Sequence, residues 1–158
     1  MTTPTPTKPV ITTTRAVWRG ERRFAAGPDG RAVDVDADTR TAPGPVETLL
    51  NAIATCCSVD VIDILAKRRT PPQRFEVLVT ATRRPEAPRR VDRLQIEFHV
   101  DGPDVEAEQA ERAIELSFEK YCSVASSLAP DIVTESILTL NGTRFPARPR
   151  KMWRAADA

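Results

Sequence analysis

Aromatic residues are scarce in this chain. Phe, Trp and Tyr make up 5% of its 158 residues, so its core must be aliphatic, built from Leu, Ile, Val and Ala. An excess of one charge is missing too, because 23 basic residues against 22 acidic ones leave a formal net charge of +1. That balance removes the electrostatic case for nucleic acid or an anionic membrane as the main partner. The chain has one histidine and three cysteines. Cys56 and Cys57 are neighbours, Cys122 is remote and His99 falls on the polar side of its stretch, so neither a disulfide scaffold nor a metal-ligand spacing is expected. No secretory signal is expected either: Met1 to Thr14 is Thr- and Pro-rich without an apolar centre and reads as a disordered leader. No run is expected to supply the ~18 apolar residues of a membrane span. These absences point to the cytoplasm, where structural disulfides are rare.

What is present is enough for one domain. A hydrophobic fraction of 41% suits a chain of this size, which buries roughly two-thirds of its extended surface on folding. Residues 15–37 alternate around Gly27-Pro-Asp-Gly30 and read as short strands. Pro45 is well placed to open a helix that runs to about Lys67. That helix is apolar on nearly every side and is expected to be the central element of the core. Strands are predicted over 75–83 and 90–100, with Leu94, Ile96, Phe98 and Val100 on one buried face. A helix over 105–128, capped by Asp104, and a strand over 132–140 complete the order. The reading is an α+β domain over 15–142, followed by a basic, Pro-rich tail over 143–158.

The cysteines carry the chemistry. A thiol with a second thiol nearby attacks a peroxide and then closes a disulfide without metal or organic cofactor. Cys57 shares its helix face with Ile53, Ala54, Val61 and Ile64, whereas Cys56 has Asp60 four residues on and Asp63 seven residues on. Neighbouring carboxylates disfavour a thiolate, which makes Cys56 the worse nucleophile of the two. The residues alone leave the bland alternative open, that all three thiols are small buried hydrophobes.

The stretches Gly44-Pro-Val-Glu47-Thr-Leu-Leu, Cys57-Ser-Val-Asp-Val-Ile-Asp-Ile-Leu and Ala113-Ile-Glu-Leu-Ser-Phe-Glu-Lys-Tyr-Cys122-Ser-Val resemble the OsmC/Ohr family, and its YhfA-like branch in particular. These are osmotically inducible and organic hydroperoxide resistance proteins. The resemblance covers about residues 15–141. It implies antiparallel sheets packed around two long helices in an intertwined two-fold homodimer. It also implies a thiol peroxidase that turns organic hydroperoxides into alcohols, with Cys57 as the peroxidatic and Cys122 as the resolving cysteine. Glu47 would orient an arginine beside the thiolate, with Arg40 the first choice and Arg19, Arg22 or Arg23 the others. No cofactor is implied beyond an external dithiol of the dihydrolipoamide type on a lipoylated protein. A ligand-binding or redox-sensing protein with the same fold is the alternative.

Helix geometry adds one constraint. Ten residues separate Glu47 from Cys57, about 15 Å of rise and roughly 80° of rotation. Either the helix breaks, or the acid and arginine serve a cysteine of a second subunit.

Overall fold

A computed structural model describes residues 9–152. The first eight residues of the expected leader and the last six of the expected tail lie outside this range. The chain divides into two compact units, one up to Thr48 and one from Leu49 onward.

The first unit is a three-stranded antiparallel sheet of β1 (Arg15–Trp18), β2 (Arg23–Gly27) and β3 (Val33–Asp36). Gly27 is required at the turn, because a Cβ there would meet the Arg31 carbonyl oxygen at 2.7 Å. β3 ends on Asp36, a buried carboxylate that sequence reasoning did not single out. Its oxygens accept the backbone N–H groups of Asp38, Arg40 and Thr41 and the Thr41 hydroxyl. The Asp38 N–H is the largest of the influences that hold this carboxyl below its ordinary range, against the opposing effect of burial. The loop that carries Arg40 is thereby tied to the end of the strand.

The long helix α1 (Pro45–Lys67) is unbroken. In the second unit its residues Ile53, Cys57, Val61 and Leu65 recur every fourth position and are at most 1% exposed. On its other side Val59 is 58% and Ile62 36% exposed in the single chain. Contrary to the sequence reading, α1 is by length and composition apolar enough to cross a bilayer, an 18-residue window of it having a mean hydropathy of 1.8. Its inner face is nevertheless that of a core helix, since those four side chains pack into the main apolar cluster.

Against this face lies a mixed sheet of β4 (Arg74–Arg83), β5 (Val91–Asp101), β6 (Val133–Leu140), β7 (Thr143–Arg144) and β8 (Arg148–Pro149). β4 and β5 form an antiparallel hairpin, and β5 buries Leu94, Ile96, Phe98 and Val100 on alternate positions as expected. β6 runs parallel to β5 because the chain between them crosses over through helix α2 (Ala107–Leu116). The sheet is therefore not purely antiparallel. α2 starts at an N-cap Glu106 that makes no side-chain cap bond, so Asp104 does not cap it; a turn joining Val105 N–H to the Gly102 carbonyl delays its start.

The expected helix over 105–128 is also interrupted. α2 loosens into a π turn over Ser117–Tyr121, where the Cys122 N–H reaches back to the Ser117 carbonyl at 2.7 Å. Cys122 is extended (φ −70°, ψ 97°), and the short helix α3 (Ser123–Ser126) begins after it.

Candidate active site

The break in the second helix is what positions Cys122. With the backbone extended at that residue, its side chain turns inward, and its Sγ lies 3.5 Å from Cys57 Sγ. Cys57 and Cys122 are 0% and 2% exposed. Cys56 is partly exposed, and its Sγ, Cys122 Sγ and an Asp60 carboxylate oxygen all lie within 4.8 Å of one another. The structure thus gathers three sulfurs where the sequence reading paired two. It also forms a donor trio of two sulfurs and a carboxylate that local spacing could not reveal, because Cys122 arrives from a distant segment.

Charge within the cluster falls on Cys122. Its sulfur accepts the Ala125 N–H at 3.3 Å and the Cys57 S–H. The bond from Cys57, stronger than the opposing cost of burial, lowers its pKa from 9.0 to about 6. Donating that bond, and then burial, push the Cys57 thiol far above the ordinary thiol range. Burial raises Cys56 as well, partly offset by the Val124 N–H that faces its sulfur. Within this pair the hydrogen bonds favour the thiolate form at Cys122. The reason lies in the backbone: the loop after the break presents an N–H to Cys122, whereas α1 spends its interior N–H groups on its own ladder.

Asp60 is the nearby acid. Burial raises its pKa, and the Ser117 hydroxyl donates to its Oδ2 at 2.8 Å. The groups facing Cys122 are thus Cys56, Cys57 and Asp60 from α1 and the Ala125 N–H from its own segment. The thiolate is the absorbing form, so protonation at Cys122 removes its ultraviolet band. In the fully reduced protein that band is expected to appear with a midpoint near pH 6, the pKa of Cys122, and to be missing from Cys122→Ser. A band that grows in only near pH 9 would show that Cys122 is an ordinary thiol.

Arg40 and Glu47 belong to the first unit, in which both are exposed. Glu47 Oε2 accepts the Gly44 N–H at 2.8 Å, the reciprocal half of a helix start, and the Arg40 backbone N–H bonds Asp36. Among the described residues neither side chain forms an ion pair with the other. Of the alternative arginines, Arg22 pairs with Asp38 and Arg23 with Glu21, while Arg19 lines a cleft of about 300 Å³ in the same unit.

The arrangement as a class is an α+β protein in which a helix on a mixed sheet meets a broken second helix over a buried dithiol. The profile of the OsmC-like proteins matches residues 36–136, and the chain belongs to that family. It is 44% identical over 87 residues to the Escherichia coli (strain K12) protein YhfA, which covers 55% of this chain and 65% of that one. A hypothetical protein from Aquifex aeolicus VF5 shares the fold at a TM-score of 0.76 and 24% identity, over 84% of this chain and 97% of that one. So does the organic hydroperoxide resistance protein OhrB of Bacillus subtilis, at a TM-score of 0.54 and 14% identity over 82% and 98%.

Proposed function

We propose that this protein is a cysteine-based peroxidase that reduces organic hydroperoxides to alcohols. The observation that carries the reading is the 3.5 Å separation of two sulfurs that are 65 residues apart in the chain. A disulfide needs about 2.05 Å, a short movement from there. Family membership and the fold shared with a hydroperoxide resistance protein support the same reading.

The chemistry balances without a bound cofactor. A cysteine thiolate attacks the distal peroxide oxygen, the O–O bond breaks, and the alkoxide leaves as alcohol after taking a proton. The resulting sulfenic acid is attacked by a second thiolate, water departs, and a disulfide remains. Two electrons then have to come from outside, and a dihydrolipoamide-type dithiol, carried on a lipoylated protein, is the reductant proposed. A reducing cytoplasm suits such a cycle.

Activation of the attacking sulfur is assigned to an arginine oriented by Glu47, with Arg40 the first candidate. That α1 is unbroken supports a reading in which the acid and arginine act on another copy. We assign the arginine and acid to a second copy in a homodimer. Exposed Leu49, Val59 and Ile62 on the outer side of α1 are the apolar surface such a copy would cover.

Purified protein given one equivalent of cumene hydroperoxide, without reductant, is expected to lose two thiols and yield a peptide pair joined through residues 57 and 122. Added dithiol should then restore turnover. Unchanged hydroperoxide in the presence of reduced protein would end the enzymatic reading and leave the ligand-binding one.

A further inference from the structure

Cys122 is close to more than its partner in the dithiol. Its Sγ, the Cys56 Sγ and an Asp60 carboxylate oxygen lie within 4.8 Å of one another. Each member of this trio is also held by a group outside it. The Val124 N–H is directed at the Cys56 sulfur, and the Ala125 N–H donates to Cys122 Sγ at 3.3 Å. The Ser117 hydroxyl donates to Asp60 Oδ2 at 2.8 Å. Outer hydrogen bonds of this kind fix the aim of metal ligands. Two thiolates and a carboxylate so close together repel one another, and either protons or a cation must compensate them. Cys122 is buried, but Cys56 and Asp60 are partly exposed, so an ion can reach the trio from solvent.

We propose that Cys56, Cys122 and Asp60 form a binding site for a zinc ion. The donor set selects the metal. Two thiolates exclude magnesium and calcium, which take oxygen ligands, and the carboxylate is a poor ligand for copper(I), which prefers sulfur. A tetrahedral zinc with Zn–S bonds of ~2.3 Å and a Zn–O bond of ~2.0 Å sets its donors about 3.5–3.8 Å apart. The trio, already within 4.8 Å, is a side-chain adjustment away from those separations. Binding replaces the thiol protons, which pass to solvent, and three protein ligands leave the fourth position to water on the exposed side. Cys122 belongs to both arrangements, since its sulfur is also 3.5 Å from Cys57 Sγ. A sulfur spent in a Cys57–Cys122 disulfide has no thiolate to give, so the ion and that disulfide exclude each other. Zinc therefore shields the dithiol from oxidation, and oxidation expels zinc. The site does not depend on the peroxidase reading.

The experiment uses the full chain, reduced, stripped of metal with a chelator and kept anaerobic, with zinc chloride as the probe. Equilibrium dialysis is expected to give one zinc per chain. Cobalt(II) in its place should show a thiolate-to-metal charge-transfer band that added zinc abolishes. Cys56→Ser and Asp60→Asn are each expected to weaken zinc binding at least about a hundredfold, with far-ultraviolet circular dichroism as the check on folding. On the unaltered chain, zinc should slow alkylation of Cys56 in peptide maps. Closing the Cys57–Cys122 disulfide with diamide, which takes both hydrogens and leaves as its hydrazine, should abolish zinc uptake. A wild type that takes up no zinc, a cobalt complex without that band, folded variants that bind as tightly as the wild type, a Cys56 that zinc does not protect, or uptake by the disulfide form overturns the proposal. No hydroperoxide enters these measurements. A protein that binds zinc and consumes no hydroperoxide loses the peroxidase reading alone, and one that consumes hydroperoxide and takes up no zinc loses the metal site alone.

Discussion

A protein with serine at position 122 is expected to reduce one equivalent of hydroperoxide, to keep the oxygen as a sulfenic acid, and then to fail. With dithiol present, its sustained turnover should fall by at least about a hundredfold. Excess hydroperoxide should then carry the stranded sulfur on to the sulfinic form, a gain of two oxygens that intact-mass measurement reads directly. The argument is one of reach. Cys122 is the only thiol supplied from outside α1, and the two on α1 are consecutive residues whose side chains diverge by about 100°. Removing Cys122 therefore leaves no partner placed to resolve either of them. The substitution is mild for the fold, since a serine oxygen can accept the Ala125 N–H that the sulfur now accepts at 3.3 Å. A Cys122→Ser protein that turns over repeatedly at the wild-type rate, with no accumulation of sulfenic or sulfinic acid, would remove Cys122 from the cycle.

Much of this was legible in the residues, and the parts that were not have a common physical cause. Period-two alternation from Leu94 to Val100 and the apolar stripe of α1 report burial against neighbours, so both elements read correctly from pattern. The resemblance joined Cys57 to Cys122, and the structure brings those sulfurs into contact. What escaped depends on backbone detail that a composition pattern does not encode. Nothing in Ser117-Phe-Glu-Lys-Tyr announces a π turn, so the second helix was read straight through the break that aims Cys122. Charge placement depends on the same break. The thiolate was assigned from carboxylates along α1, whereas the Ala125 N–H and the Cys57 S–H that favour Cys122 exist only after the break forms. The bond from Ser117 to Asp60, the acid beside Cys56, spans 57 positions and was equally beyond local pattern. Asp36 was passed over because its worth lies in the loop it ties down rather than in any motif.

The basic segment after residue 142 was misjudged for a different reason. Its Pro and Arg content reads as a solvated tail, yet Thr143–Arg144 and Arg148–Pro149 both pair with β6. The turn into it is Asn141-Gly142 with φ of 48° and 82°, the pair of positive values that a two-residue hairpin needs. Asn141 is doubly used, because its amide also bonds the Gly102 backbone in both directions.

Replacing Arg150 with alanine is expected to be the most destabilising change in that segment. The Arg150 side chain is 6% exposed and its Nη2 lies 2.5 Å from Oε2 of Glu111, itself 7% exposed. Its Nε donates to Ser136 Oγ at 2.6 Å and its backbone N–H to the Thr134 carbonyl at 2.8 Å, so the residue clamps this segment to β6 and to α2 together. Among the described residues Glu111 Oε1 has no hydrogen-bond partner, and the other cation nearby, Arg148, is at 3.7 Å. Without Arg150 a carboxylate is left buried and nearly uncompensated, a change that costs about 3–5 kcal/mol when one partner of a buried pair is removed. Urea unfolding followed by far-UV circular dichroism should show that loss as a lower midpoint with an unchanged slope. The companion variant Arg150→Met with Glu111→Leu separates the pair's net worth from the penalty of breaking it. Because two apolar side chains of similar volume avoid desolvating either charge, the double variant is expected to recover most of the lost stability or to exceed the wild type. A single Arg150→Ala variant within ~0.5 kcal/mol of the wild type, the range of ordinary surface substitutions, would mean that Glu111 is solvated and the clamp is not closed in solution.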